Sequence, residues 1–364
     1  MSIRPRESVL NPELVRPHAL GSVPRDPGTL WLDKNENVDP EVATLLREVL
    51  LEIPPHALNT YPEAGELYRK LARSVGLEPE YLFLTPGSDG AIRSAFGLFV
   101  EDGDGVVHTM PTFAMYPVYS QMFGADACAI EYQRTDAGPR LDQAAIIEAV
   151  RQRRPKLLCL PNPDSPTGTV LAAETLREIL AECEAAGTAM LLDEAYYPFY
   201  ESSAIQWTRT SRNLIVARTF AKAWGAAGLR VGYAAAHPET AALLHKMRPM
   251  YEVSTIAVEF MVRLLDRAPQ IARAVARANE GKTYFVGEMR ACGFRVLPGA
   301  ANFVHVAFDD AGAAVHAALA GKILYRAVAT HPCLAGYSRF TVAPRAIMAR
   351  VADLIKEAVG RTTK

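Results

Sequence analysis

The chain has 364 residues, more than one ordinary hydrophobic core accommodates, so two domains are expected. Hydrophobic residues make up 49% and charged residues 22%, as in globular proteins with ample apolar material to bury. The formal net charge of −1 argues against a broad basic surface for nucleic acid or for an anionic membrane. Any anionic ligand must therefore be held by a local pocket.

The N-terminal segment, MSIRPRESVLNPELVRPHAL, contains no continuous apolar stretch, so no secretory signal is expected. No apolar run in the sequence is long enough to cross a membrane. The five cysteines form no C-x-x-C pair and the eight histidines form no H-E-x-x-H pair, so we expect neither disulfides nor a bound metal. A reducing cytoplasm is the compartment that fits best.

Between about residue 81 and about residue 236, short apolar runs alternate with longer amphipathic or polar stretches. The runs are YLFL, GVVH, KLLCL, AMLL, NLIVA and VGYAA. Runs of this length between helical stretches predict buried parallel strands joined by crossover helices. This part of the chain therefore predicts an α/β domain with a mostly parallel central sheet and helices on both of its faces.

The pattern changes after about residue 238, where helical segments run through about residue 291. Short strands follow, with the sequences FRVL, NFVHV, KILY and RFTV, and helices lie among them. This mixture predicts a second, smaller α+β domain. We expect an N-terminal arm at 1–40 that joins the small domain, a large α/β domain at 41–245, and the small domain with connecting helices at 246–364.

Two residues that follow buried strands stand out, because ligands of such sheets bind beyond the carboxyl ends of the strands. Asp193 comes directly after AMLL, where a carboxylate caps a helix, holds a metal or pairs with a cofactor. Lys222 follows NLIVA among small and aromatic residues. Desolvation lowers the pKa of an ammonium, and a neutral lysine amine forms a Schiff base with an aldehyde. Taken alone, Asp193 is better explained as a helix cap, and Lys222 is slightly better explained as a surface lysine.

The two residues belong to a longer pattern. T-x-x-K-x-x-x-x-x-G-x-R spans Thr219 to Arg230 and contains Lys222, and D-x-x-Y at Asp193 and Tyr196 precedes it. With these motifs the chain resembles the aspartate-aminotransferase superfamily of pyridoxal-phosphate (PLP) enzymes, and within it the histidinol-phosphate aminotransferases. The resemblance covers nearly the whole chain, and further matching fragments are NEN (Asn35–Asn37), YP (Tyr61-Pro62), GSD (Gly87–Asp89), PTF (Pro111–Phe113), PTG (Pro166–Gly168), NF (Asn302-Phe303), Arg326 and Arg339.

The resemblance implies the three-layer PLP-transferase fold and a role for each matching residue. Lys222 is expected to hold PLP as a Schiff base and to shuttle a proton. Asp193 is expected to pair with the pyridine nitrogen and keep it protonated, so that the ring acts as an electron sink. Tyr196 is expected to donate to the phenolic oxygen, and Ser165 occupies a position from which an asparagine does the same. Phe113 is expected to stack on the ring, although an ordinary core aromatic fits nearly as well.

The cofactor phosphate needs anion binders. Gly87, Ser88 and Asp89 open a predicted helix, and their free backbone N–H groups would lie at the positive end of its dipole. Thr219 is expected to add a hydroxyl and Arg230 a charge-assisted hydrogen bond. The sequence therefore predicts a phosphate site at the start of this helix.

Substrate and partner follow from the same resemblance. Tyr61 matches a tyrosine that reaches the cofactor phosphate of the neighbouring subunit, which implies a homodimer with a shared active site. Arg339 matches the arginine that binds a substrate α-carboxylate, and Arg326 matches one that helps to bind the substrate phosphate in the histidinol-phosphate enzymes. Asn35 is a further expected substrate contact. The expected partners are a small amino-acid or amino-phosphate substrate and a second copy of the chain, without nucleic acid or membrane.

Several positions depart from the family pattern. Ser165 replaces an asparagine, Ala221 a serine, Gly90 an acidic residue and Glu252 another asparagine. The resemblance predicts a PLP aminotransferase acting on histidinol phosphate, or on an aromatic or related amino acid, with 2-oxoglutarate as acceptor. The departures leave open a PLP enzyme of another reaction type, such as a decarboxylase, oxidase or cyclase. A non-catalytic binding protein on the same fold is a third hypothesis, disfavoured because the motif residues remain.

Overall fold

The computed structural model describes residues 5–12, 14–15 and 24–362, so parts of the expected N-terminal arm lie outside it. Its strands are, in chain order, β1 (Leu30–Trp31), β2 (Leu82–Thr85), β3 (Gly105–Met110), β4 (Asp126–Glu131), β5 (Gln133–Thr135), β6 (Gly138–Arg140), β7 (Leu157–Pro161), β8 (Ala189–Asp193), β9 (Leu214–Thr219), β10 (Gly232–Ala236), β11 (Arg295–Leu297), β12 (Phe303–Ala307), β13 (Ile323–Leu324) and β14 (Tyr337–Thr341).

The helices follow local signals in the sequence. Asp39 caps the first helix by accepting from the Glu41 N–H, and Ser254 caps a later helix in the same way. The helices are α1 (Pro40–Leu51), α2 (Gly65–Val75), α3 (Gly87–Phe99), α4 (Met115–Phe123), α5 (Gln143–Arg153), α6 (Ala173–Ala186), α7 (Pro238–Lys246), α8 (Thr255–Leu265), α9 (Ala268–Ala291), α10 (Gly312–Leu319) and α11 (Arg345–Thr362).

A seven-stranded sheet forms the centre of the molecule, in the order β2-β10-β9-β8-β7-β3-β4. All its strands are parallel except β10, which runs antiparallel to both β2 and β9. Alternate residues of β7 pack on opposite faces: Leu158 in one apolar cluster and Leu157 in another. Helices therefore cover the sheet on both sides, and the predicted three-layer α/β class with a mostly parallel sheet is confirmed.

A second sheet, antiparallel and in the order β11-β12-β14, packs with α9, α10 and α11 around a separate apolar cluster. We call it the small sheet. β1 pairs in parallel with β13 beside it, Leu30 opposite Ile323. The described strands and helices thus include the mixed α+β unit that the sequence predicts. No helix in the described part of the chain is long and apolar enough to cross a membrane.

The packing of helix α8 is relevant to the boundary between the large α/β unit and the small α+β unit. It lies after the boundary that the sequence places between 245 and 246, yet it contacts α1 and α2. Its residues Val258 and Met261 belong to the same apolar cluster as the central sheet. The domain boundaries stay a prediction, and α8 packs with the large unit because its apolar face meets theirs.

Candidate active site

A cavity of about 730 Å³ opens at the carboxyl ends of β3, β7, β8 and β9, the edge at which sheets of this kind bind ligands. Asp193 ends β8 and Thr219 ends β9, so both lie on the cavity wall. The small sheet closes the other side. The structure brings together twelve of the predicted residues around this cavity: Asn35, Ser88, Asp89, Phe113, Ser165, Asp193, Tyr196, Thr219, Lys222, Arg230, Arg326 and Arg339.

Lys222 extends into the cavity from the segment after β9, and its amine donates a hydrogen bond to the Lys34 carbonyl oxygen at 2.8 Å. Burial, together with the positive charge of Arg339, lowers the pKa of Lys222 to about 8. A usable fraction of the amine is therefore neutral near pH 7.5, and the neutral amine is the nucleophilic form. This placement differs from that of a lysine on a solvated surface.

Asp193 is buried at the end of β8. Its Oδ1 accepts from the Ala195 N–H at 3.0 Å, and its Oδ2 accepts from the Tyr116 hydroxyl at 3.2 Å. Burial raises the pKa of Asp193 to about 7. A cationic ring nitrogen placed beside this carboxylate would favour its ionised form and would in turn be held protonated. Phe113 also lines the cavity, with its ring edge-to-face against Tyr116 at 6.0 Å between centroids.

Tyr196 presents a hydroxyl that is fixed by a neighbouring amide. Asn35 donates its side-chain N–H to the Tyr196 oxygen at 2.9 Å, and Ser165 lines the same cavity. Burial raises the pKa of Tyr196, so the phenol keeps its proton. Asn35 itself has a left-handed backbone (φ 59°) and is fixed by Thr341, whose hydroxyl accepts from the Asn35 N–H at 3.0 Å. In this structure Asn35 thus holds Tyr196 in place.

The start of α3 forms the cradle at the opposite end of the cavity. Gly87 is the first residue of α3 and has a φ of +76°, and a Cβ there would lie 2.7 Å from Nη2 of Arg230. Ser88 and Asp89 follow on the first turn, where backbone N–H groups have no helical acceptor. Asp89 accepts from the Tyr119 hydroxyl at 3.1 Å. The close approach of an arginine to a helix start favours an anion at this point.

Two arginines define the end of the cavity beside the small sheet. The backbones of Arg326 and Arg339 pair with each other, with N···O distances of 3.1 and 2.8 Å. Their side chains converge on the Asp33 carbonyl oxygen, to which Arg326 Nε donates at 3.3 Å and Arg339 Nη2 at 3.1 Å. The Arg339 guanidinium also lies over the Phe303 ring, 5.1 Å from its centroid. Both arginines therefore face inward, which the sequence alone could not establish.

Two predicted residues are not on the cavity wall. Gly87 is buried behind it and shapes the cradle through its contact with Arg230. Tyr61 is 73% exposed and stacks on Tyr251, with 4.3 Å between ring centroids and 11° between ring planes. Within one chain Tyr61 thus lies on the surface, outside this cavity.

Several residues at the site were not predicted. Tyr116 binds Asp193, and it stands three residues after Phe113, so the segment PTFAMY carried a usable signal. His305 lines the cavity two residues after Phe303 on β12, and the alternation of a strand places both on one face. His331 also lines the cavity, with its Nε2 3.0 Å from Glu131. Nothing local in the sequence marks His331, because its partner is 200 residues away.

Comparisons with known proteins agree with this geometry. The aminotransferase class I and II family matches residues 28–355. The chain is 34% identical over 288 residues to the histidinol-phosphate aminotransferase of Caldanaerobacter subterraneus subsp. tengcongensis, covering 78% of this chain and 80% of that protein. It is 33% identical over 342 residues to the enzyme of the same name from Symbiobacterium thermophilum, covering 90% of each. The chain belongs to the class I and II aminotransferase family.

A solved structure extends the comparison to the fold of this aminotransferase. The histidinol-phosphate aminotransferase of Sinorhizobium meliloti, crystallised with pyridoxal 5'-phosphate, superposes with a TM-score of 0.78 at 25% identity and covers 92% of both chains. The predicted PLP-transferase fold and the resemblance to the histidinol-phosphate aminotransferases are thereby confirmed. The protein is a PLP-dependent aminotransferase.

The cavity of this aminotransferase fits the cofactor chemically. Lys222 supplies an amine of lowered pKa, Asp193 a buried carboxylate, and Arg230 a cation beside the start of α3. When bound, PLP supplies an aldehyde that captures amines and a ring that accepts electrons from the substrate carbon. No group of side chains suited to a metal ion occurs among the residues that the structure describes.

Proposed function

We propose that this aminotransferase transfers an amino group between histidinol phosphate, or an aromatic or related amino acid, and 2-oxoglutarate. The observation that carries the proposal is the pair Arg326 and Arg339, which both face the cavity from one end. Paired guanidinium groups suit a carboxylate or a phosphate, the acidic groups that these substrates bear. The names of the relatives support the histidinol-phosphate assignment, and histidine biosynthesis is the corresponding pathway.

In this proposal each side chain has a task. Lys222 takes a proton from the carbon that bears the amino group and returns it to the neighbouring position, as its pKa of about 8 permits. Asp193 keeps the ring nitrogen of the cofactor protonated. Tyr196 and Ser165 hold the phenolic oxygen, and Phe113 covers the ring face.

The phosphate end has its own set of binders. Gly87, Ser88 and Asp89 would offer backbone N–H groups to the cofactor phosphate, because these groups lack helical acceptors. Thr219 would add its hydroxyl, and Arg230 would add a charge-assisted hydrogen bond.

We further propose a homodimer in which Tyr61 of one chain reaches the cofactor phosphate of the other. Tyr61 belongs to an exposed apolar patch with Leu58, Met250 and Tyr251, exposed by 79%, 77% and 48%. A patch of large exposed apolar side chains is typical of an interface. A second copy of the chain would cover it and complete the site.

The experiment that tests the reaction uses single substrates. The purified holoenzyme is mixed with histidinol phosphate, with an aromatic amino acid or with glutamate, and conversion of the cofactor to its amine form is followed by absorbance. We expect conversion by glutamate and by at least one of the other two amines. Release of carbon dioxide or peroxide without conversion would overturn the proposal and favour another PLP reaction.

The attachment site is tested separately. Borohydride reduction of the holoenzyme followed by peptide mapping should locate the pyridoxyl label on Lys222 in the TFAKAWG segment. Lys282 is the matched control, because burial lowers its pKa to about 8 as well, while its amine donates to the Gly299 and Ala301 carbonyls. A label on Lys282, or on any other lysine, would contradict the assignment.

A further inference from the structure

Two buried nitrogen atoms at the arginine end of the cavity lack hydrogen-bond partners in the described structure: Nδ1 of His305 and Nε of Arg339. The two residues are directly opposite each other, His305 on β12 and Arg339 on β14, so their side chains project from the same face of the small sheet. Both line the cavity. Buried polar atoms are nearly always paired in native proteins, so two unpaired neighbours call for an explanation.

The two atoms are chemically complementary. Arginine Nε–H is only a donor, whereas one ring nitrogen of a neutral imidazole is an acceptor. Burial, together with the charge of Arg339, lowers the pKa of His305 to about 3, so the ring is neutral at any working pH. His305 can therefore accept a hydrogen bond from Arg339 without adding a charge that would repel it.

The guanidinium of Arg339 is at present engaged by other groups. Its Nη2 donates to the Asp33 carbonyl, and its plane lies over Phe303. An acidic group entering the cavity would compete with that neutral carbonyl, because charge-assisted bonds to a carboxylate or phosphate are roughly twice as strong as neutral ones. The guanidinium would then turn toward the acidic group, and its Nε–H, which has no partner among the described residues, could donate to Nδ1 of His305.

We propose that His305 is a positioning residue for acid recognition: its Nδ1 accepts from Arg339 Nε–H while the Nη atoms of Arg339 hold the acidic group of the substrate. The inference rests on the proposed substrate-binding role of Arg339. It assigns to this chain a two-residue device in which a neutral histidine orients the arginine fork. This arrangement strengthens the binding of substrates that place an acidic group at this end of the cavity, and it does not affect substrates without one.

The test compares His305→Leu, which removes the acceptor, with His305→Asn, whose carbonyl oxygen replaces Nδ1 as an acceptor. The ligand is glutarate, a dicarboxylate that has no keto group and therefore cannot accept an amino group. It is titrated into the holoenzyme, and binding is followed by the cofactor spectrum. Loss of a hydrogen bond to a charged group weakens binding by about tenfold or more. We expect His305→Leu to weaken glutarate binding by about tenfold and to raise the Michaelis constant for the acceptor 2-oxoglutarate by a similar factor. The turnover number kcat should change by less than about threefold, and His305→Asn should restore most of both losses.

Arg339→Lys separates failure of this inference from failure of the proposed function. If Arg339→Lys leaves glutarate binding unchanged, the role of Arg339 is wrong and the inference falls with it. If Arg339→Lys weakens binding but His305→Leu binds like the wild type, only the inference is overturned. Adding His305→Leu to Arg339→Lys should cause little further loss, because His305 acts through Arg339. Should His305→Leu fail to fold, His305→Ala tests the same loss of the acceptor.

Discussion

At the scale of single residues, Lys222 carries the clearest pH dependence. Its pKa of about 8 lies well below the ordinary value of 10.5 because the amine is buried. Only the neutral amine captures an aldehyde, so the rate of PLP capture by the cofactor-free protein should rise with pH and level off above about pH 8. Stopped-flow absorbance between pH 6.5 and 9.5 measures this rate. A rise that continues through pH 10, as for a solvated lysine, would contradict the assigned environment.

Asp193 links the chemistry of the site to the stability of the fold. Its pKa is raised from 3.8 to about 7 by burial, so the folded cofactor-free protein loses stability as the pH rises from about 4 through 7. Asp193→Asn removes this penalty, and its carboxamide oxygen can still accept from the Ala195 N–H. We expect the cofactor-free variant to be more stable than the wild type at pH 8 by roughly 2–4 kcal/mol, and no different below pH 4. Urea unfolding at both pH values measures the difference.

The same substitution should inactivate the holoenzyme, because a neutral amide cannot hold the ring nitrogen protonated. A substitution that raises the stability of the fold and abolishes activity indicates that the original residue is retained for function. A variant that is less stable than the wild type at pH 8 would show instead that Asp193 is chiefly a structural cap.

Residues whose motif kept its spacing, such as Lys222 and Asp193, lie on the cavity as expected, and their roles stay predictions. The predictions were incomplete where a side chain binds a residue that is distant in the sequence. Asn35 was expected to touch substrate, but its amide binds the Tyr196 hydroxyl 161 residues away. The pairing of His305 with Arg339 depends on strand register, which the sequence alone does not specify.

At the scale of elements, the junction of β2 with α3 depends on one glycine. Gly87 combines a φ of +76° with a would-be Cβ only 2.7 Å from Arg230 Nη2. Gly87→Ala should therefore strain the backbone by about 1–2 kcal/mol and also displace Arg230 from its proposed position beside the cofactor phosphate. We expect PLP affinity to fall by about tenfold or more, as loss of a charged hydrogen bond implies. Equilibrium dialysis of the variant against PLP measures the affinity.

Gly103→Ala is the matched control for this substitution. Gly103 has a similar φ of +85°, but nothing lies within 4 Å of its would-be Cβ. It should lose comparable stability while keeping wild-type affinity for PLP. Equal losses of affinity in both variants would mean that backbone strain alone, and not the displacement of Arg230, explains the effect.

The strands with continuous apolar runs were predictable, since β2, β3, β7, β8, β9 and β10 all coincide with them. The antiparallel direction of β10 was not predicted. A strand reached by a parallel crossover and a strand reached by a short antiparallel connection have the same apolar sequence pattern, so the pattern does not distinguish them. Here only a short 3-10 helix, Ala227–Leu229, lies between β9 and β10, too little for a crossover helix. The hairpin β5–β6 was also missed, because its exposed residues carry no apolar alternation.

At the scale of the whole molecule, the cavity lies between two sheets that fold around separate apolar clusters. The segment 331–335, part of which lines the cavity, contacts the end of β4 and the strand β5. The Arg134 guanidinium donates to the Ala335 carbonyl at 3.0 Å, and Nε2 of His331 lies 3.0 Å from the Glu131 carboxylate. The site therefore forms only when the central sheet and the small sheet are packed in this relative position. The sequence predicted two units and one site, but not which loops close it.

The proposed homodimer gives the last prediction. If Tyr61 serves the neighbouring chain, Tyr61→Phe and Lys222→Ala damage different halves of one composite site. Each variant alone should be nearly inactive, Lys222→Ala through its lost amine and Tyr61→Phe through its lost phosphate contact. After dissociation and reassociation of an equal mixture, half of the dimers are hybrids, and each hybrid has one site with both residues intact. We expect recovery of about one quarter of wild-type activity. Lys222→Ala mixed with Asp193→Asn is the control with the opposite outcome, because both residues lie in the cavity of one chain and no hybrid site is intact. A monomer with full activity at assay concentration would refute the shared site.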